Sequence, residues 1–91
     1  MAEHRYTERQ GEYLSFIHYY TRVTGQPPAQ TDIQRFFAVT PPTAHNMVVE
    51  LERRGLIERT PRAARSLRVL LPADQIPPLP DGAHANRSDP L

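Results

Sequence analysis

Apolar residues recur along this chain with helical spacing as far as Leu51 and with strand alternation from Leu56 to Leu71, and glycines and prolines fall where the spacing changes. Tyr13, Leu14, Phe16, Ile17, Tyr20 and Val23 line one broad face of a first helix. Thr7-Glu8-Arg9-Gln10 has the Thr-x-x-Gln form of a capping box and opens that helix, and Gly25 ends it. Gln26-Pro27-Pro28-Ala29 is then a stiff connection through which no helix continues. A second box, Thr31-Asp32-Ile33-Gln34, predicts a short helix with Ile33, Phe36 and Phe37 turned inward. Val39 leads straight into a third helix. Thr40 is a good N-cap there, and Pro41 falls at the first helical position, where its missing N–H costs nothing. Gly55 closes this helix behind Arg53 and Arg54, whose charges suit the negative end of the helix dipole. Only a tight turn separates the second and third helices, which is the outline of a helix-turn-helix.

Leu56 to Arg59 and Leu67 to Leu71 read as two strands joined by Thr60 to Ser66. A helix-turn-helix followed by a hairpin predicts a mainly α fold with a small β-hairpin, the three-helix winged helix-turn-helix. The domain is expected over residues 7–71, after a flexible N-terminus of residues 1–6. Beyond Leu71, Pro72, Pro77, Pro78, Pro80 and Pro90 obstruct helix and ladder alike, so residues 72–91 are expected to be mostly disordered. Within them, Ile76-Pro77-Pro78-Leu79-Pro80 is suited to lie extended on a groove of a partner or of this domain.

Charge changes the picture more than length does. The 91 residues make one small domain, and the absence of cysteine excludes disulfides, thiol catalysis and cysteine-ligated zinc. No apolar run approaches a membrane span and the N-terminus lacks a signal peptide's apolar core, so the expected location is the cytoplasm. The net charge of +1 hides an uneven distribution. Residues 1–52 carry four Arg against six Asp/Glu, and residues 69–91 carry Arg87 against Asp74, Asp81 and Asp89. Between them, Arg53, Arg54, Arg59, Arg62, Arg65 and Arg68 face only Glu58 within residues 53–68, a local charge of +5. A local basic cluster on a near-neutral domain is how a phosphate-facing surface reads in sequence. All 11 basic residues are arginine, whose fork binds phosphates and guanine edges with paired hydrogen bonds. Codon bias accounts for the choice of arginine as well, but not for its clustering.

The third helix holds the candidate chemistry. With Val48 at the centre of the buried face and about 100° per residue, Ala44 and Leu51 join it in the core stripe and Met47 sits at the border. Pro42, Thr43, Asn46, Val49, Glu50 and Arg53 then point outward. That face is mostly uncharged and rich in small groups, which suits thymine methyls and base edges better than it suits plain solvation. The Asn46 amide matches the donor and acceptor of adenine's N6/N7 edge, although an exposed polar residue needs no such partner. Capping alone explains Thr40. His45 is expected at the edge of the core, and Glu50, which would repel phosphates, is expected to pair with Arg53 or Arg54. Arg62, Arg65 and Arg68 are spaced to project together from a loop and an outward strand position, along a DNA backbone or into a minor groove.

These residues together resemble the DNA-binding domain of the LexA repressors. The matching pieces are Thr7-x-Arg9-Gln10-x-Glu12, Ile17, Thr24-Gly25-x-Pro27-Pro28, Ile33, Thr40-Pro41, Leu51, Arg53 to Gly55, Ile57-Glu58, and Arg65-x-Leu67-Arg68-x-Leu70. The resemblance implies a domain that reads the major groove with its third helix, with Thr40, Pro42, Thr43, His45 and Asn46 as base-reading positions. Arg53, Arg62, Arg65 and Arg68 are the corresponding backbone or wing positions. Pro42 stands where the family offers a polar side chain, His45-Asn46 replaces an acidic pair, and Val49 replaces a basic residue, so a different operator is expected. Without any lysine here, the serine–lysine dyad of the family's self-cleaving part has no counterpart.

The leading expectation is a sequence-specific regulator of double-stranded DNA, a repressor that occupies a promoter as a homodimer on an inverted repeat. The alternative is a winged helix that binds protein. Enzymatic activity is not expected: His4, His18, His45 and His84 are scattered, and the chain has no Gly-rich phosphate loop and no acid pair. Neither a cofactor, a metal nor a small-molecule ligand is expected.

Overall fold

The computed structural model describes residues 6–79. Three helices, α1 (Glu8–Thr24), α2 (Gln30–Phe37) and α3 (Pro41–Arg53), precede strands β1 (Ile57–Glu58) and β2 (Arg68–Val69) and a short 3-10 helix, Ala73–Gln75. The order and type of the elements are those the pattern predicts, and the hairpin forms the wing of a winged helix-turn-helix.

Local signals set most boundaries. At the start of α1 both halves of the capping box form: Gln10 N donates to Thr7 Oγ1 at 3.1 Å, and Thr7 N donates to Gln10 Oε1 at 2.9 Å. Gly25, at φ 84°, takes the left-handed turn that ends the helix. The last turn of α1 overshoots the core, so Val23, expected on the packed face, is 83% exposed. At the other end of the helix-turn-helix, α3 stops in a Schellman motif. Leu56 N donates to Leu51 O and Gly55 N to Glu52 O, each at 3.0 Å, with Gly55 left-handed at φ 77°. The buried Leu51 and Leu56 close that motif's apolar contact.

The start of α2 differs from expectation. Its first residue is Gln30 with Ala29 at the N-cap, and Thr31 lies exposed inside the helix. Pro27 and Pro28 set the entering chain. The Asp32 carboxylate then accepts the Ala29 N–H at 2.8 Å, so an acid at the third helical position, rather than a Thr hydroxyl, sets the start. At its far end α2 turns on Ala38, which is left-handed at φ 55° and ψ 47°, and Val39 N donates to Gln34 O at 3.1 Å. A Cβ in this conformation costs about 1 kcal/mol or more.

Aromatic stacking joins α1 to α2. The Tyr13 and Phe37 rings lie parallel with centroids 4.1 Å apart, and Phe16 stacks on Phe36 at 4.5 Å. The Arg9 guanidinium sits 5.0 Å from the Phe37 centroid and 5.4 Å from that of Tyr13. Beneath these rings, Leu14, Ile17, Ile33, Val48, Leu51, Leu56 and Ile57 form one core with Leu67 and Leu71 from the second half of the hairpin.

The hairpin is shorter than the apolar run. Antiparallel pairing covers Ile57↔Val69 and Glu58↔Arg68, and Leu70 N adds a bond to Leu56 O at 2.9 Å. The packed region, by contrast, runs past Leu71, the expected domain end. Ile76 is buried in the core, and the Tyr6 hydroxyl donates to Gln75 O at 2.8 Å. The flanks meet over Gly11, where a Cβ would stand 2.9 Å from a Tyr6 ring carbon and 3.2 Å from Pro77 Cγ. Disorder from residue 72 onward is therefore corrected as far as Ile76, because that side chain completes the core under α1. The remainder of the expected tail, residues 80–91, and the N-terminal residues 1–5 lie outside the described residues.

Ala38→Gly removes the left-handed Cβ at the helix-turn-helix corner. We expect denaturant unfolding to show a gain of about 1 kcal/mol. A loss of stability would contradict the left-handed geometry at that corner.

Candidate nucleic-acid interface

The start of α3 is built unlike an ordinary anion-binding helix end. Pro41 and Pro42 have no N–H, and Thr43 N donates to Thr40 Oγ1 at 3.3 Å. The Thr40 hydroxyl in turn donates to Thr43 Oγ1 at 2.9 Å, which leaves the Thr43 hydroxyl free to donate outward. A helix that usually offers several free N–H groups to a phosphate instead presents pyrrolidine methylenes and hydroxyls.

Ala44, Val48 and Leu51 are buried, as the periodicity requires, and Pro42, Thr43, His45, Asn46 and Val49 are exposed beside them. His45 therefore stands in solvent and not at the edge of the core, because the packed face of the helix is Ala44, Val48 and Leu51 with Met47 on its other side. Neither His45 nor Asn46 makes an intramolecular hydrogen bond among the described residues. Thr40, Pro42, Thr43, His45 and Asn46 thus occupy one continuous, uncharged surface at the N-terminal half of α3.

The arginines are arranged differently from expectation. Arg65 turns back onto the helices: its Nη1 lies 2.9 Å from Asp32 Oδ2, 3.2 Å from Pro27 O and 3.3 Å from the Tyr20 hydroxyl. Arg68 pairs across the hairpin with Glu58, its Nε donating to Oε2 at 2.9 Å. Arg59 reaches Glu52 at 3.0 Å. Arg53 and Arg54 both close on Glu50, at 2.7 Å and 2.9 Å, and these two guanidinium groups pull the Glu50 carboxyl down to about 2. Glu50 therefore pairs with both arginines. The wing does not project Arg62, Arg65 and Arg68 as a group, since two of the three are held by acids.

Arg62 stands apart. It is exposed at the wing tip, with no ion pair or hydrogen bond among the described residues. Ala63 N donates to Thr60 O at 3.1 Å, closing a turn on Pro61 and Arg62, and Arg62 has φ 70°. Proline followed by a positive φ is the pattern of a type II turn, whose third position favours glycine. An arginine held there is a backbone strain that coincides with a free cation. Ser66 braces the same turn, its hydroxyl oxygen accepting Thr60 N at 2.8 Å.

Asp32 ties the wing to the start of α2, beside the core contacts of Leu67 and Leu71. Its side chain is 11% exposed and receives Ala29 N, Arg65 and, at 3.4 Å, Arg35. The bond from the Ala29 backbone, followed by the Arg65 contact, holds its carboxyl below the usual range. Sequence reasoning found Asp32 only as part of a capping box and passed over Tyr20 and Glu52 as arginine partners. The spacing of Asp32 and Arg65, 33 positions apart, carries no local signal.

A helix-turn-helix with an exposed second helix and an adjoining wing defines the winged-helix class, whose members place that helix in a groove or on a partner. The sequence narrows the class: the chain belongs to the LexA DNA binding domain family, which matches residues 3–66. The LexA repressor of Thermosipho melanesiensis is 41% identical over 61 residues, 67% of this chain and 31% of that protein. That of Thermosipho africanus gives the same identity and coverage. The LexA repressor of Thermotoga petrophila is 41% identical over 63 residues, 69% of this chain and 32% of its own length. The chain thus spans about a third of the relatives it matches. Among the described residues there is no group of three or more His, Cys, Asp or Glu that could hold a metal, and no helix is long and apolar enough to cross a membrane.

Asp32→Asn should lower stability by about 1–2 kcal/mol at neutral pH, the scale of hydrogen bonds to a charged group. A depressed folded-state value means that the contribution is complete above the unfolded carboxyl's value near 4, and is lost as pH falls toward the lower folded value. Unfolding curves of the parent and variant should therefore converge as pH falls below about 4. A gap independent of pH would contradict the role given to Asp32.

Proposed function

We propose that this chain is a sequence-specific regulator of double-stranded DNA, a repressor that occupies its operator with α3 in the major groove. The observation that carries this reading is the exposed, uncharged face of α3, where Asn46 and His45 have no intramolecular hydrogen bond, on the reading helix of a LexA-family domain. Asn46 is placed to bridge adenine N6 and N7. Pro42 fits against a thymine methyl, Thr43 donates to a base or phosphate, and His45 reaches a neighbouring edge. Thr40 holds the helix start, where a passing phosphate can share its hydroxyl. Arg62 at the wing tip supplies the backbone or minor-groove contact. Arg53, Arg65 and Arg68 lie behind it as cations already paired within the protein.

A single domain covers about half a turn of DNA, so useful affinity calls for two copies on an inverted repeat. A regulator of this kind works on the nucleoid, in the cytoplasm. Repeated selection of bound duplexes from a random pool tests the whole reading. Recovery of an inverted repeat supports paired copies, and a single short motif supports a monomer. If no sequence is enriched, the reading fails and α3 is a protein-binding face.

Two substitutions separate reading from anchoring. Asn46→Ala should cost about 1–3 kcal/mol on the selected site and relax preference at one base position, as read by competition with single-position site variants. Equal losses on selected and random DNA would contradict its reading role. Arg62→Gly should weaken binding to all duplexes alike and reduce the salt slope by about 1, while leaving the fold as stable or more so. A fall in stability with unchanged binding would show Arg62 to be part of the turn and not of the interface.

A further inference from the structure

We propose that Glu50 is a specificity-determining residue: it holds Arg53 and Arg54 off the DNA backbone and so lowers affinity for random sequence. The inference rests on the DNA-binding reading but assigns a role to a residue that contributes no attraction to it. Glu50 follows Asn46 by one helical turn, and Arg53 follows Glu50 by three residues, so the acid stands between the base-reading surface and the cations. Its contact is two-sided. Arg53 gives a forked pair, with Nε to Oε1 at 3.1 Å and Nη2 to Oε2 at 2.7 Å, while Arg54 Nε reaches Oε2 at 2.9 Å. One carboxylate thereby occupies donors on two guanidinium groups that would otherwise grip phosphates.

The same economy runs through the wing. Arg59 faces Glu52, Arg68 faces Glu58 and Arg65 faces Asp32. The six arginines of residues 53–68 and the four carboxylates that face them sum to +2, where residues 53–68 alone read as +5. A carboxylate about 3 Å from a guanidinium cancels much of its field at phosphates farther off than that separation, and salt screens what remains beyond the Debye length of about 8 Å. Attraction to phosphate is the part of affinity that carries no sequence information. Restraining it leaves base contact at α3 to decide where the protein stays, which is discrimination by repulsion as well as by attraction.

Binding to a random-sequence duplex, followed over a range of salt, tests this without knowledge of the operator. Glu50→Gln and Glu50→Ala should each bind random duplex roughly 3- to 10-fold more tightly at low salt and steepen the salt slope by roughly 1–2. Glu12→Gln removes the same charge from the Arg9 pair on α1 and separates a local clamp from net charge. It should change random binding much less. Thermal unfolding of each variant checks that the fold is intact. No gain for either Glu50 variant, or an equal gain for Glu12→Gln, overturns the inference. That outcome is distinct from failure of the functional reading, which shows as an absence of enriched sequence with the unaltered protein.

Discussion

The Asp32 carboxylate receives donors from three parts of the chain: the Ala29 backbone at the start of α2, Arg35 one turn along it, and Arg65 from the wing. The helices do not need it to pack, because the aromatic stack and the Leu51–Leu56 closure hold them in one core. The wing, whose ladder is only two residue pairs long, is seated by Ile57, Leu67 and Leu71 in that same core. The Asp32–Arg65 pair adds a tie from its loop to the start of α2, and Arg65 also reaches Pro27 O and the Tyr20 hydroxyl. The position of Arg62 relative to α3 thus rests on core packing together with this polar cluster.

Two left-handed residues show where the fold gives up stability for shape. Ala38 makes the corner of the helix-turn-helix at φ 55°, and Arg62 makes the wing tip at φ 70°. Glycine would relax both. At the corner only a small side chain is lost by that exchange, whereas at the tip a cation is lost. The strain at Arg62 thus has a functional counterpart in the proposed contact with DNA, and the strain at Ala38 has none in the described structure.

Local grammar made most of the fold readable. The Thr7–Gln10 box, Thr40 with Pro41, and the left-handed glycines at 25 and 55 act within a few residues of themselves, and each behaves as its spacing implies. The Ala44–Val48–Leu51 stripe followed from helical geometry alone, and it defined the outward face containing Asn46. What was not legible depended on distant partners. Counting charge along residues 53–68 overstated the basic surface because Asp32 on α2 and Glu50 and Glu52 on α3, which answer it, lie outside that stretch. The start of α2 shifted because two prolines and an acid outweighed a Thr hydroxyl. Proline density signified disorder beyond Leu71, yet prolines exclude ladders but not packing, and Ile76, at the head of the segment suited to lie on a groove of this domain, is buried.

In the proposed complex the N-terminal half of α3 meets DNA and the wing touches it only at its tip. Backbone amide shifts recorded during titration with a selected duplex test it most directly. Large changes are expected at Thr43, His45 and Asn46, a second group at Arg62 and Ala63, and small changes at Arg65 and Asp32, whose pair stays closed. Changes concentrated on the outer face of α1 around Tyr19 and Val23, with α3 silent, would contradict it.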